Sequence, residues 1–194
     1  MEKPILFKNE MVQAILAGRK TMTRRIIKPK TLDRFINLIW NPNENLSLSP
    51  YQVGDILWVK ETWWADNKNW AEARTFLHKA DAPFPDPWSN DFKWRSSRYM
   101  PRIAARLFLK VKDVRVERLQ DITEGDARSE GIEWTDEGPL HAHYLNHNLN
   151  ASLNFKTSKE AFSSLWDSIN KSRGFSWDSN PYVWIISFER VEGK

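Results

Sequence analysis

Apolar residues recur along the chain at two spacings, and each spacing predicts one type of secondary structure. Alternation of apolar and polar residues from Arg102 to Glu117 predicts a long strand or a bent pair of strands. Residues 182–189 alternate in the same way and predict a last strand. Three shorter runs, rich in β-branched and aromatic residues, predict further strands at residues 4–8, 21–27 and 56–61.

Helical spacing is strongest near the carboxyl end, where four apolar residues follow the i, i+3, i+4, i+7 pattern: Phe162, Leu165, Trp166 and Ile169. A capping box, Thr157-x-x-Glu160, precedes this stripe, and Gly174 is expected to end the helix. We interpret the stripe as part of the hydrophobic core. Two shorter helices are predicted, one capped by Asn9 and closed by Gly18, the other opened by Thr123 and closed by Gly131.

Residues 64–100 and 132–156 follow neither spacing. The first segment is rich in aromatic residues and proline and is longer than a structureless loop normally is, while the second is rich in asparagine and histidine. We therefore expect a single domain over residues 1–194 with an insertion at each of these segments. The predicted elements together indicate the α+β class, with a mostly antiparallel sheet of barrel size and three helices.

Composition narrows the class of protein. The chain has 194 residues, of which 41% are hydrophobic and 28% charged, and its mean hydropathy is −0.62. No apolar run approaches the roughly 18 residues of a membrane span, and the first 30 residues lack the apolar core of a signal peptide. The absence of cysteine excludes disulfides, thiol catalysis and cysteine-ligated zinc. We expect a cytoplasmic protein that is not attached to a membrane.

Positive charge is concentrated at the start of the chain. Residues 1–34 contain nine Lys and Arg against three acidic residues, a net charge of +6, while the whole chain carries +4. A basic segment favours anionic partners such as nucleotides or RNA, although an ordinary solvated face has the same composition. The chain also has 11 tryptophans, whose flat rings suit bases, but several of them must belong to the core.

Within this basic segment, a hydroxyl group and an amine lie three residues apart. Thr23 is the candidate nucleophile and Lys20 the group that would activate it, as in serine–lysine variants of acyl transfer. A lysine acts as a base only when its pKa is depressed; neighbouring arginines depress that pKa, whereas the end of a preceding helix raises it. These two effects on the Lys20 pKa oppose each other here. The alternative to a catalytic pair is a basic strand with ordinary surface threonines.

Four segments resemble the ASCH domain family. Residues 15–23, ILAGRKTMT, resemble its signature ILAGRKT-x-T, and residues 54–59, GDILWV, resemble its strand motif GD-x-L-x-V. The TE-x-x-A-x-x-E segment at 123–130 and the last strand at 182–188 are also similar. The resemblance covers about half of the chain and is nearest to the longer, phage-associated members. It implies a PUA-like small β-barrel with flanking helices, associated with RNA or modified nucleosides.

One small bacterial branch of that family hydrolyses N4-acetylcytidine to cytidine with a Lys, a Thr and a Glu, and needs neither metal nor cofactor. The matching positions here are Lys20, Thr23 and Glu130. The resemblance implies that Thr23 is the nucleophile, Lys20 its activator, and Glu130 the group that orients the lysine or the base. It implies a modified cytidine nucleoside or RNA as the partner. Two alternatives stay open: a non-catalytic reader of RNA or modified bases, and a ribonuclease using the same cleft.

Five further residues are candidates for substrate binding: Arg19, Arg24, Glu61, Trp63 and Arg102. The first two belong to the basic segment. The other three lie at the ends of predicted strands, where we expect them to face the barrel mouth. Trp63 would there stack on a pyrimidine, and Arg102 would hold a phosphate or a carbonyl group. A core tryptophan and a strand-end arginine are the simpler alternative.

Three of the four histidines fall within seven residues, at His141, His143 and His147. This spacing is compatible with metal ligation. The surrounding segment is rich in asparagine, however, and the carboxylates that would complete a site are distant in the sequence. We therefore interpret the cluster as part of a polar insertion and expect no metal.

Overall fold

A computed structural model describes residues 1–28, 31, 46–81, 93–135, 142–146 and 151–192, the last two ranges including a few residues of which only the backbone is described. Ten strands and three helices lie in these ranges. In chain order they are β1 (Glu2–Leu6), α1 (Asn9–Leu16), β2 (Met22–Ile26), β3 (Ile56–Lys60), β4 (Trp63–Ala65), β5 (Phe76–His78), β6 (Phe108–Arg118), α2 (Glu124–Ser129), β7 (Glu133–Trp134), β8 (Ala142–Asn146), β9 (Ala151–Phe155), α3 (Ser158–Asn170) and β10 (Tyr182–Val191).

Five strands form the central sheet, in the order β1–β3–β6–β10–β2. All neighbouring pairs are antiparallel except β1 and β3, which run parallel. The predicted α+β class with a mostly antiparallel sheet is therefore confirmed. The sheet is not a closed barrel, because no backbone pairing joins its edge strands β1 and β2 within the described residues. A side chain spans this gap instead: Arg25 Nη2 donates a hydrogen bond to the Leu6 carbonyl oxygen at 2.7 Å.

The alternating side chains of β10 enter two separate hydrophobic clusters, one on each face of the sheet. Trp184, Ile186 and Phe188 pack with the buried residues of α1 and β1. Val183 and Ile185 pack with the buried face of α3 and with α2. Strand β10 is thus covered on both faces, which explains why residues 182–186 form a continuous apolar run in the sequence.

Two small sheets accompany the central one. Strands β4 and β5 pair at the start of the first predicted insertion, with β4 beginning one residue before it. Strands β7, β8 and β9 form a three-stranded sheet within the second insertion. Ala142 of β8 and Leu153 and Phe155 of β9 belong to the cluster that α3 completes. The second segment therefore contributes to the core. The boundaries of a single domain with two insertions stay a prediction.

The sequence predicts an N-cap for each of the three helices, and two of these caps form in the structure. Thr123 accepts a hydrogen bond from the Asp126 backbone N–H and Thr157 one from Glu160, both at 3.1 Å, so both predicted N-caps are confirmed. Asn9, in contrast, is not the N-cap: it is the first helical residue, and Lys8 lies in the capping position.

The long strand predicted from Arg102 begins only at Phe108. Residues Arg102–Ala104 form a 3₁₀ turn after Pro101 instead. Ile103, which the alternation placed on the buried face, is 61% exposed. The Arg102 side chain pairs with Glu2 and lies over the Phe108 ring, two contacts that alternation along the chain does not encode.

Gly131, with φ at +101°, is expected to tolerate alanine poorly. A Cβ atom there would lie 3.1 Å from Ala14 Cβ and 3.4 Å from Lys20 Cβ, whereas at Gly18 (φ +74°) nothing lies within 4 Å. We expect Gly131→Ala to lower the free energy of unfolding by about 2–3 kcal/mol and Gly18→Ala by about 1–2 kcal/mol, because only the first adds a collision to the backbone strain. Urea unfolding of both variants measures the two losses of unfolding free energy. Equal losses would show that the close contacts of the added Cβ atom do not contribute at Gly131.

Candidate functional site

The segment after α1 and the end of α2 meet through a backbone contact. Lys20 and Glu130 form an isolated antiparallel bridge, and the Thr21 N–H donates to the Ser129 carbonyl at 2.9 Å. Gly131, the next residue, packs so closely against Ala14 of α1 and against Lys20 that a Cβ atom there would lie 3.1 and 3.4 Å from their Cβ atoms. This close approach brings together two residues that lie 110 positions apart in the sequence.

Lys20 and Glu130 form a buried ion pair. Lys20 Nζ donates to Glu130 Oε2 at 2.6 Å and to the Glu130 carbonyl oxygen at 2.8 Å. The two side chains are only 1% and 5% exposed. Burial lowers the pKa of the Lys20 ammonium; Glu130 opposes the shift, and Arg25 and Arg24 add to it. The competing effects that the sequence left open are thus decided by burial, which makes the lysine easier to deprotonate.

Arg24 holds the other oxygen of the same carboxylate. Its Nη1 lies 3.3 Å from Glu130 Oε1, and its Nη2 lies 2.8 Å from Asp126 Oδ2 and 3.8 Å from Glu117 Oε2. The Arg24 side chain is fully buried. Glu130 is therefore clamped between two cations, one on each oxygen, and its orientation is set by the fold.

A cavity of about 320 Å³ lies along the edge strand β2, between this strand and α3. One wall is polar and contains Thr23, Arg24, Arg25 and Glu130. The opposite wall is apolar and consists of the helical stripe Phe162, Leu165, Trp166 and Ile169. The volume is within the range of small-molecule sites, and an apolar wall facing a few fixed polar groups is typical of them.

Among the predicted catalytic residues, Thr23 and Glu130 line this cavity directly, and Thr23 is itself 4% exposed. Lys20 does not line the cavity, but its ammonium group donates a hydrogen bond to Glu130, which does. The structure therefore places two of the three predicted catalytic residues, Thr23 and Glu130, on one cavity and joins the third, Lys20, to Glu130.

The sequence pattern alone did not identify the apolar wall as part of a site. Phe162 and Trp166 are buried, as the helical spacing predicted, but Leu165 and Ile169 are only half-buried, and all four contribute to the cavity. A core stripe and a ligand-facing stripe have the same spacing, so no sequence signal separates them. Lys28 and Arg173, which also line the cavity, were likewise not singled out.

The predicted binding residues of the basic segment have different surroundings. Arg24 lines the cavity, but its guanidinium is engaged by carboxylates. Arg19 is exposed and pairs with Glu133 at 2.8 Å. It lines a smaller cavity of about 110 Å³ on another side of Glu130.

The other three candidates lie away from the main cavity. Glu61 is fully buried and accepts hydrogen bonds from Arg106 at 2.9 and 3.1 Å. Trp63 is 1% exposed and packs with Met100 and other buried residues, so it has no free ring face for a base. Arg102 is held by Glu2 at 2.9 Å on the surface. The expectation that these three side chains face one mouth was wrong, because adjacency to strand ends does not determine burial.

The histidine cluster has no described geometry. His141 and His147 lie outside the described residues, and of His143 only the backbone in β8 is described. Within the described ranges no group of three His, Asp or Glu residues has an arrangement that could hold a metal ion. In the same ranges, no helix is both long enough and apolar enough to cross a membrane.

Comparison with known proteins adds little to this picture. No family model and no curated protein matches the sequence. The structure is similar to the crystal structure of protein EF3133 from Enterococcus faecalis V583, of the DUF984 family, with 11% sequence identity and a TM-score of 0.41. The alignment covers 93% of this chain and 66% of that one, so the chain spans slightly less than two thirds of that protein's length. Similarity at this level does not determine a function.

Proposed function

We propose that this protein is a metal-independent amidohydrolase that cleaves the N4-acyl amide of N4-acetylcytidine-type substrates. The observation that carries the proposal is the buried Lys20–Glu130 pair beside a cavity that Thr23 lines. A lysine whose pKa is lowered by burial can accept the proton of a hydroxyl group, and its partner Glu130 lines the same cavity as Thr23. The opposite apolar wall suits a flat pyrimidine ring.

The hydrogen bonds of Lys20 are compatible with a neutral amine. An ammonium group has three N–H donors and an amine has two. Lys20 Nζ has two acceptors on Glu130, the carbonyl oxygen and Oε2. An uncharged Lys20 would satisfy both and keep its lone pair for the proton of a hydroxyl group, which is what a general base needs.

The reaction proceeds in two stages, transfer of the acyl group to Thr23 and hydrolysis of the resulting ester. Thr23 Oγ1 attacks the acyl carbon while its proton passes to the Lys20–Glu130 pair, of which Glu130 lines the cavity. The bond between the acyl carbon and N4 then breaks, and the pair returns the proton to N4, which releases cytidine. Water attacks the resulting Thr23 ester, its proton passes through the Lys20–Glu130 pair to Thr23 Oγ1, and the carboxylic acid leaves. Glu130, held by Arg24, keeps Lys20 in position throughout. The leaving amine is conjugated to the pyrimidine ring, which makes it easier to expel than an alkyl amine.

Turnover of N4-acetylcytidine tests the proposal directly. Deacetylation changes the pyrimidine chromophore, so absorbance follows the reaction, and chromatography identifies cytidine and acetate as products. Treatment with a chelator should leave the rate unchanged. Absence of cytidine formation from a panel of N4-acyl cytidines, with folded protein, would contradict the proposed function.

The pH dependence of kcat is a sharper test of the role of Lys20. The active form has a neutral lysine, so kcat should rise as pH increases through the Lys20 pKa, which burial places below the ordinary lysine value. Glu130 raises that pKa, so Glu130→Gln should move the rising limb to lower pH while reducing the maximal rate. Glu133→Gln is the control, since Glu133 pairs with Arg19. A limb that moves equally in both variants, or in neither, would contradict the role of Lys20.

A second candidate function is non-catalytic binding of RNA or a modified base, or ribonuclease activity, in the same cavity. Basic side chains on its lining, Arg25, Lys28 and Arg173, favour an anionic ligand. This alternative predicts that acetylated RNA binds and keeps its acetyl group, with or without cleavage of the strand.

A further inference from the structure

Three cationic side chains that line the cavity have no carboxylate partner among the described residues. Arg25 and Lys28 come from β2 and the residues just after it, and Arg173 from the turn that follows α3. Within the described part of the chain, none of the three forms an ion pair with a carboxylate. Arg25 donates to the Leu6 carbonyl, and Arg173 donates to Asn170 Oδ1 at 3.1 Å.

This lack of pairing differs from the rest of the site. Lys20 and Arg24, also buried in this region, both contact Glu130. Desolvation lowers the pKa of the half-buried Arg25 side chain, and its proximity to Arg173 lowers the pKa further, against the attraction of Tyr51 and Glu130. Two like charges held near each other in a partly buried place destabilise the empty site, and an anion placed between them would relieve the repulsion.

Unused donors point in the same direction. Arg24 Nε and Arg25 Nε are buried and have no hydrogen-bond partner among the described residues. Both residues line the cavity, and Arg24 is only 5% exposed. A buried guanidinium donor without a partner is costly, which makes an absent acceptor the simplest explanation.

The chemistry of the anion follows from the shape of the cavity. Arg24 is buried and Arg25 is half-buried, whereas Lys28, two residues beyond β2, and Arg173 are exposed. The anion therefore belongs at the open end, with the rest of the ligand against the apolar wall of α3. Arginine pairs and a lysine are the groups that bind phosphate. A volume of about 320 Å³ suits a single nucleotide unit.

We propose that the cavity takes the acylated cytidine as its phosphate ester, with the phosphate bound by Arg25, Lys28 and Arg173 and the base on the α3 wall. This inference rests on the proposed function for the identity of the base. It makes a nucleotide, and not the free nucleoside, the preferred ligand. A phosphate of this kind occurs in a free nucleotide and within RNA, and the volume of the cavity favours the free mononucleotide.

Calorimetric titration with cytidine and cytidine 5′-monophosphate measures the phosphate contribution without relying on turnover. We expect the nucleotide to bind at least about tenfold more tightly, in line with charge-assisted hydrogen bonds, and its affinity to fall with added salt. Lys28→Gln and Arg173→Gln should each reduce this preference several-fold. Lys171→Gln is the matched control, because Lys171 is exposed near Arg173 but does not line the cavity. Equal binding of the two ligands, or equal losses in the control, would overturn the inference.

Kinetics separates this inference from the proposed function. Hydrolysis of N4-acetylcytidine and its 5′-monophosphate with equal kcat/KM would support the hydrolase and overturn the phosphate site. Tight binding of the monophosphate without deacetylation would support the phosphate site and contradict the hydrolase. A short RNA containing N4-acetylcytidine is the third arm: binding of this RNA without binding of the monophosphate would overturn the mononucleotide as ligand.

Discussion

Thr23→Ala is expected to lower kcat for N4-acetylcytidine hydrolysis by about 10³-fold or more, because it removes the oxygen that attacks the acyl carbon. Lys20→Ala should have a loss of similar size, since the nucleophile is no longer activated, and the double variant should be little worse than either single one. Lys20→Arg should not restore activity, because a guanidinium stays protonated and cannot accept the Thr23 proton. Steady-state kinetics by absorbance measures all four variants.

Two control variants make this result interpretable. Thr23→Ser keeps the hydroxyl group and should retain part of the activity, having lost only the methyl group that restricts its rotamer. Thr21→Ala changes the exposed threonine two residues earlier and should retain full activity. Full activity of folded Thr23→Ala would refute the covalent mechanism even if the amide were still hydrolysed.

Arg24→Met is expected to lower the free energy of unfolding by about 3–5 kcal/mol, because it removes a fully buried cation that contacts three carboxylates. The Arg24 side chain is fully buried and contacts Glu130, Asp126 and Glu117, of which Glu130 is 5% exposed. In this variant Lys20 still pairs with Glu130, and Arg115 still pairs with Asp126 at 3.4 Å. These remaining cations should keep the loss of unfolding free energy from exceeding about 5 kcal/mol. Urea unfolding at neutral pH, followed by tryptophan fluorescence, provides the measurement.

Arg102→Met is the matched control for that substitution. Arg102 also pairs with a carboxylate, Glu2, but its side chain is 37% exposed and that of Glu2 is 51% exposed. Exposed pairs contribute about 1 kcal/mol or less, so Arg102→Met should change stability far less than Arg24→Met. Similar losses in the two variants would show that burial of the Arg24 network does not contribute to stability.

The sequence by itself determined the local elements and the chemical character of the candidate site. Thr123 and Thr157 are N-caps because each hydroxyl group reaches a backbone N–H only three residues away, an interaction that needs no distant partner. The alternation of residues 182–189 predicted β10 because a strand exposes successive side chains to opposite faces. The basic motif identified Lys20 and Thr23 as candidates, and a resemblance connected them to Glu130.

Tertiary structure decided which of these groups meet and what their surroundings do to them. Burial of the Lys20–Glu130 pair depends on contacts 110 residues apart, and the lowered Lys20 pKa depends on that burial. Likewise, Trp63 became a core residue, and the α3 stripe became a cavity wall beside β2. Hydrogen bonds and periodicity act within a turn or a strand, so neighbouring residues encode them. Desolvation and the pairing of charges depend on every element packed around a group, and only the folded chain determines them.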